Sequence, residues 1–294
     1  MEKQDIFDND ELWQQAESKT TYDELNIIDW PLHVFDNEIV SKMTKERSYV
    51  INTYNKINRN SLQGNLIIEG NLKYYDEDVL LALMKISSRD NFASKIITLT
   101  TLNDLLKILK WTRAGKSYAK VMDSLKRLVT LTIETNIYYN RQKETYEERK
   151  YHILERISDH KTEAPRYVEI VWDSTFYLSL MSSQGKPKLI RPLDYDTYLS
   201  LDDPLSKKLY RIMDKKMYKF DMGLIPLTYL CYTILGVSNT KPLTKLRFML
   251  KPALEELLDS KIIKGYDVIQ EHRTGQLALT FWRTDRAPKD LIKE

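Results

Sequence analysis

The chain is 294 residues long, 42% hydrophobic and 30% charged, with a formal net charge of +3. That is the composition of a soluble globular protein large enough for two ordinary domains, and no apolar run nears the ~18 residues that span a bilayer. A single cysteine, Cys231, excludes an intrachain disulfide, and histidines at 33, 152, 160 and 272 are too scattered for zinc-ligand spacing, so neither metal nor other cofactor is expected.

Charge is unevenly spread. Residues 1–40 carry eleven acids against Lys3 and Lys19, a net −9, which leaves +12 on residues 41–294. A basic body behind an acidic head points to a polyanionic partner. The polar stretch from residue 1 to about 21 reads as a mobile arm. Tyr22-Asp-Glu-Leu-Asn-Ile-Ile-Asp-Trp-Pro31 is compact and apolar-acidic, and is expected to dock on a domain. Ser48–Tyr54 and Asn65–Glu69 alternate as strands do.

From Asp76 the apolar period lengthens. Val79, Leu80, Leu83, Met84 and Ile86 line one helix face, with Glu77 and Asp78 in the first turn, where carboxylates favour the helix dipole. Ile96–Leu99 predicts a short strand, and Thr101 caps a helix bearing Leu102, Leu105, Leu106 and Leu109. After the turn Trp111-Thr-Arg-Ala-Gly-Lys116, Ser117 is expected to cap a helix with Tyr118, Val121, Met122, Leu125, Leu128 and Val129 on its apolar face. Lys116, Lys120, Asp123 and Arg127 fall on the other face. Leu131–Tyr139 and Tyr151–Ile157, joined by a charged tip over 141–150, predict a long wing. Val168–Trp172 is a further strand, Ser174–Met181 a short helix, and Ser182–Pro187 a loop.

The second half repeats the order. Ser206–Tyr218 is a charged amphipathic segment, and Leu227–Leu235 is another apolar-periodic one, stopped at Gly236. After the turn Val237-Ser-Asn-Thr240 a third segment starts at Lys241, and two strand-like runs flank His272-Arg-Thr-Gly275. Helix, helix, turn, helix and two-stranded ribbon is the order of a winged helix. Leu243, Leu246, Leu250, Leu254 and Leu257 mark the buried stripe of the third segment. Lys241, Thr244, Lys245, Phe248 and Lys251 fall away from it, where a recognition helix meets a major groove. Pro242 suits a first helical turn, whereas Pro252 is expected to kink or divide the helix.

No catalytic constellation emerges. Gly115-Lys116-Ser117 resembles the end of a phosphate-binding loop, but the glycine required five positions earlier is replaced by Lys110. No two histidines are separated by a single residue, so none of the 19 tyrosines sits in the context of a rolling-circle nuclease, and there is no Gly-x-Ser-x-Gly elbow. Cys231 lies within an apolar-periodic segment and reads as a core residue. The chain is therefore not expected to be an enzyme.

Taken in order, Tyr22–Pro31, Asp76–Leu83, Leu109–Tyr118 running into Leu125-Lys-Arg-Leu128, and Ser206–Ile212 resemble the plasmid replication initiator protein A family, within the tandem winged-helix initiators. At Leu72-Lys-Tyr-Tyr75 the chain departs from the Gly-Leu-Pro-like lead of that family. The resemblance implies an α+β protein with an acidic arm over 1–45, a first winged-helix domain over 46–190, a second over 191–285 and a tail over 286–294. It implies double-stranded DNA at plasmid origin repeats (iterons) as the partner, with origin opening, exchange between monomer and dimer, and contact with a host initiator ATPase and replicative helicase in the bacterial cytoplasm, away from any membrane. The first domain would supply the dimer contact and DNA backbone contacts, and the second the sequence-specific reading. DNA-binding candidates are Arg113, Lys116, Ser117, Lys120 and Arg127 in the first unit, and Ser238, Asn239, Lys241, Thr244, Lys245, Lys251, His272 and Arg273 in the second. A winged-helix regulator that only represses, and a winged-helix protein adaptor, remain as alternatives.

Overall fold

The computed structural model describes residues 20–33, 35, 48–57, 60–70, 72–140, 143, 145–160, 167–181, 189–217, 221–238, 240–271 and 275–283. The expected arm before residue 20, the loop at 182–187, the tail, and Asn239, His272 and Arg273 lie outside these residues. The chain is a mixed α/β protein, and no helix among the described residues is long and apolar enough to cross a membrane.

Strand β1 (Thr20–Glu24) runs into the single turn α1 (Leu25–Ile28), capped by Glu24, whose Oε2 accepts from the Ile27 amide at 2.9 Å. The hairpin β2 (Ser48–Ile57) and β3 (Asn60–Glu69) follows. Helix α2 (Tyr74–Ser88) begins two residues before Asp76, which reaches back to accept the Lys73 amide at 2.7 Å. Strand β4 (Ile96–Leu99) and helix α3 (Leu102–Ile108) come next, the latter capped by Thr101 as its sequence predicts. Helix α4 (Gly115–Thr130) starts ahead of Ser117, with Ala114 in the capping position, so Ser117 lies inside the first turn.

The long hairpin expected over 131–157 is divided between two sheets. Strands β5 (Thr132–Asn140) and β6 (Thr145–Tyr151) form a hairpin, and β7 (Leu154–His160) and β8 (Tyr167–Trp172) form another. The first hairpin joins β3, with Leu66 opposite Thr135 and Glu69 opposite Thr132, completing a four-stranded sheet of order β2-β3-β5-β6. The charge run that reads as a loop tip is mostly strand β6. Its charges are met by acids: Lys150 Nζ lies 3.1 Å from Glu134 Oε2 on β5, and Arg149 pairs with Glu147 along β6. Strand β8 instead pairs with β4 on one side and β7 on the other, in the order β4-β8-β7.

Helix α5 (Ser174–Leu180) is capped by Asp173, and β9 (Ile190–Asp194) pairs antiparallel with β1. The short helix α6 (Tyr195–Ser200), capped by Asp194, delivers the chain into the second unit, which opens with helix α7 (Pro204–Lys216), capped by Asp203. Strand β10 (Met222–Pro226) leads into a helical turn that widens to π geometry over Tyr229–Ile234 and ends at Gly236, whose φ of 63° a side chain would resist. Cys231 is fully buried there, and burial pushes its thiol up to about 12, consistent with a core role.

Helix α8 (Leu243–Asp259) starts immediately after Pro242 and runs unbroken through Pro252. Pro252 has no amide to give the Phe248 carbonyl, but its ring faces solvent, and Leu246, Leu250, Ala253, Leu254 and Leu257 are buried on both sides of it. Packing of this stripe carries the helix past the missing bond. Strands β11 (Gly265–Gln270) and β12 (Leu277–Trp282) close a sheet of order β10-β12-β11.

The two three-stranded sheets share one connectivity. Each unit runs helix, strand, helical turn or helix, helix, strand, strand, and in each the last strand lies between the other two. In the first unit the hairpin β5–β6 is inserted between α4 and β7.

A buried ionic joint ties these units to the N-terminal segment. Arg211 on α7 has a fully buried side chain; its Nε and NH2 donate to Asp23 on β1 at 2.6 and 2.8 Å, and its NH1 to Glu77 on α2. Lys208 donates to the Trp30 carbonyl at 2.9 Å and lies 3.6 Å from Glu77, an ionic contact too long for a hydrogen bond. Lys207 and the Tyr198 hydroxyl both reach Asp78, at 3.1 and 2.7 Å. Burial pushes the Glu77 carboxyl up, but Lys208 and Arg211 more than offset it, and its pKa lies below the usual value. Burial also draws the Lys208 ammonium down to about 8. Ile27, Ile28, Trp30 and Leu32 are buried, so Tyr22–Pro31 docks as its apolar-acidic character predicts.

Candidate nucleic-acid interface

Helices α4 and α8 hold the same position in their units and both carry exposed cations, Lys116 and Lys126 on α4 and Lys245, Arg247 and Lys251 on α8. Both begin without a side-chain cap and without an acid in the first turn. Helices α3, α5, α6 and α7 have their first amides occupied by Thr101, Asp173, Asp194 and Asp203. The starts of α4 and α8 thus keep the positive end of the helix dipole open to an anion, and a phosphate is the ligand such an end accepts.

In the first unit Arg113 and Lys116 are exposed at the start of α4, and Ser117 is partly so. Lys120, one turn on, is held over a wall of rings. Its Nζ stands 3.9 Å from the Trp111 ring centroid and 4.1 Å from that of Tyr75. Burial against these rings lowers its pKa below the usual lysine value, and the cation–π contact fixes where its charge is presented.

Arg127, expected on the same open face, points elsewhere. Its Nε and NH2 both donate to Asp76 at 2.7 Å, and the Asp76 carboxylate is fully buried and also accepts from Ser124. These hydrogen bonds raise the guanidinium pKa, and the pair clamps α4 onto α2 rather than facing solvent.

In the second unit Thr244, Lys245, Arg247, Phe248 and Lys251 are exposed along α8. Lys251 Nζ is 3.6 Å from Glu255 Oε1, a solvent-facing i,i+4 pair of the kind worth a few tenths of a kcal/mol, which a phosphate would readily displace. Lys241 is partly exposed just before the helix, and its carbonyl accepts from the Tyr232 hydroxyl at 3.0 Å, which pins the turn to the preceding helical segment. Within the turn the Ser238 hydroxyl lies 2.8 Å from that of Thr240. The structure therefore brings Lys241, Thr244, Lys245 and Lys251 onto one helix with its entry turn. It adds Arg247, which the leucine spacing alone could have found, because 247 falls between buried positions 246 and 250 yet is exposed.

No group of three or more His, Cys, Asp or Glu side chains among the described residues is arranged to hold a metal ion. The chemistry on offer is cationic and hydrogen-bonding.

The replication initiator protein A family matches residues 23–221. Among solved structures, domains 2 and 3 of RctB superpose with a TM-score of 0.55 at 13% identity, covering 89% of this chain and 100% of that one. The Pi initiator protein, solved in complex with iteron DNA, superposes with a TM-score of 0.52 at 18% identity, covering 73% of this chain and 92% of that one. At these identities the likeness is one of fold. Among curated proteins, none matches the sequence.

Proposed function

We propose that this chain, which belongs to the replication initiator protein A family, is a plasmid replication initiator that binds repeated sites at its origin through two winged-helix domains. The observation that carries this reading is the recurrence of one connectivity in two units, each offering an uncapped, cation-bearing third helix. The fold shared with the Pi initiator, a protein solved on iteron DNA, supports it.

In this reading α8 enters a major groove and supplies most of the sequence reading, through Thr244, Lys245 and Arg247. Arg113, Lys116, Ser117 and Lys120 on the first unit engage phosphates, as do Ser238, Lys241 and Lys251 around α8. Asn239, His272 and Arg273 belong to the same proposal on the strength of their place in the sequence. Two unequal units in one chain suit an asymmetric repeat, whereas a repressor using one unit per subunit would favour a palindrome. Opening of the duplex, recruitment of a host ATPase and helicase, and exchange between a monomer that initiates and a dimer that represses are the steps such binding would serve.

Neutralising about six phosphates releases counterions and gives a log–log dependence of affinity on salt with a slope near −5. Salt-titrated fluorescence anisotropy on a protected duplex and a scrambled control tests the assignment. Lys245→Ala is expected to weaken specific binding at least about fivefold, the loss of one base contact. Unchanged specific affinity would remove α8 from the reading role.

A further inference from the structure

Phe248 is 82% exposed, far more than any other large hydrophobic side chain among the described residues. It stands on α8, where Leu246, Leu250, Ala253, Leu254 and Leu257 define the buried face. At about 100° per residue, position 248 lies almost diametrically opposite that face. Thr244 is one turn before it and Lys251 one turn after, both exposed, and Lys245 and Arg247 flank it.

We propose that Phe248 is a specificity-determining residue that reads thymine, its ring packing on the C5 methyl group of a thymine in the major groove. This rests on the reading that α8 enters the groove. A helix ~10–12 Å across fills a groove ~12 Å wide, so the residue opposite the core descends deepest, onto the base edges. Phe248 falls within the first two turns of α8, the part of a recognition helix that meets base edges. There the only apolar group a base pair displays is the thymine methyl.

The ring of cations decides between partners. An apolar protein surface seated on Phe248 would have to desolvate Lys245, Arg247 and Lys251 without compensating them. A major groove satisfies both demands, with phosphates along its rims for the cations and methyl groups on its floor for the ring. Pro252, one turn beyond Phe248 and also exposed, extends the same apolar strip.

The test uses the full chain and a duplex that it protects in footprinting. Each thymine is replaced in turn by deoxyuridine, which removes the methyl group and keeps every hydrogen-bonding group. For the wild-type protein, one or two positions should each weaken binding roughly fourfold, the loss expected for one methyl group taken out of an apolar contact. Phe248→Ala should bind the unmodified duplex more weakly and be indifferent to deoxyuridine at those same positions. Its thermal unfolding should match wild type, since the ring supports nothing in the core. Wild-type indifference to every deoxyuridine, with specific binding and the Lys245→Ala effect intact, would overturn the thymine contact and leave the DNA-binding reading standing. If Phe248→Ala left DNA affinity unaltered and changed only the oligomeric state, the ring would belong to a protein contact and the proposal would fail. Absence of any protected duplex would instead refute the function on which the proposal rests.

Discussion

Replacing Arg211 by methionine removes a buried cation that binds three segments at once. The guanidinium is 0% exposed, and its partners Asp23 and Glu77 are 1% and 7% exposed, so the variant strands two carboxylates where water does not reach. Lys208 remains 3.6 Å from Glu77 and compensates part of that charge. Breaking a buried pair by deleting one partner costs ~3–5 kcal/mol, a large share of the ~5–15 kcal/mol that holds a typical protein folded. Because Asp23 lies on β1, Glu77 on α2 and Arg211 on α7, the loss should fall on the joint more than on either unit's core. Urea unfolding followed by tryptophan fluorescence reads this directly, since Trp30 sits in the joint, Trp172 in the first unit and Trp282 in the second. The single variant should unfold at lower urea and in two steps. Adding Asp23→Asn to Arg211→Met should restore part of the stability, because Asp23 then carries no unpaired charge and Glu77 keeps Lys208 as its partner. A single variant within about 1 kcal/mol of wild type would refute the reasoning, as would a double variant no more stable than the single one.

The fully buried Glu24 gives a pH dependence of defined sign. Burial raises its pKa from 4.5 to about 7, so the folded chain binds a proton that the unfolded chain releases. Stability from this group is complete below about pH 4.5 and is lost as pH rises through about 7. Between pH 5.5 and 8 the loss is on the order of 2 kcal/mol, and Glu24→Gln should abolish it in urea midpoints measured at both values; a parallel decline in both proteins would contradict the assignment. At Gly223 a Cβ would stand 2.4 Å from two Phe281 ring atoms, so Gly223→Ala should cost ~1–3 kcal/mol by overpacking, measured by thermal unfolding, with wild-type stability as the contrary outcome.

What the sequence made legible was local. Of the stripe Leu243, Leu246, Leu250, Leu254 and Leu257, all but the half-buried Leu243 are buried as the spacing predicts, and Thr101 caps α3. The docking of Tyr22–Pro31 was legible too, because an apolar stretch that size has little else to do. What stayed hidden depended on partners far along the chain. Asp76, Glu77 and Asp78 look like acids placed for a helix dipole, yet each answers a buried or half-buried cation, and Glu77 and Arg211 are 134 positions apart. Arg127 looked solvent-facing because nothing local reveals Asp76 beside it. The strand β6 hid in a charge run because its bases are neutralised by Glu134 across the pair and by Glu147 along the strand. Pro252 misled because its helix is held by the leucine stripe rather than by its own hydrogen bonds.

The central claim is that the two units together hold specific DNA. Hydroxyl-radical footprinting of the full chain on the DNA flanking its own reading frame, at a salt concentration where a scrambled duplex is unbound, tests it most directly. Protection of a series of direct repeats is expected, each covered asymmetrically over more than one helical turn as two unequal units require. Protection of a single palindrome would contradict the initiator reading, and no protection at any salt concentration would contradict DNA recognition altogether.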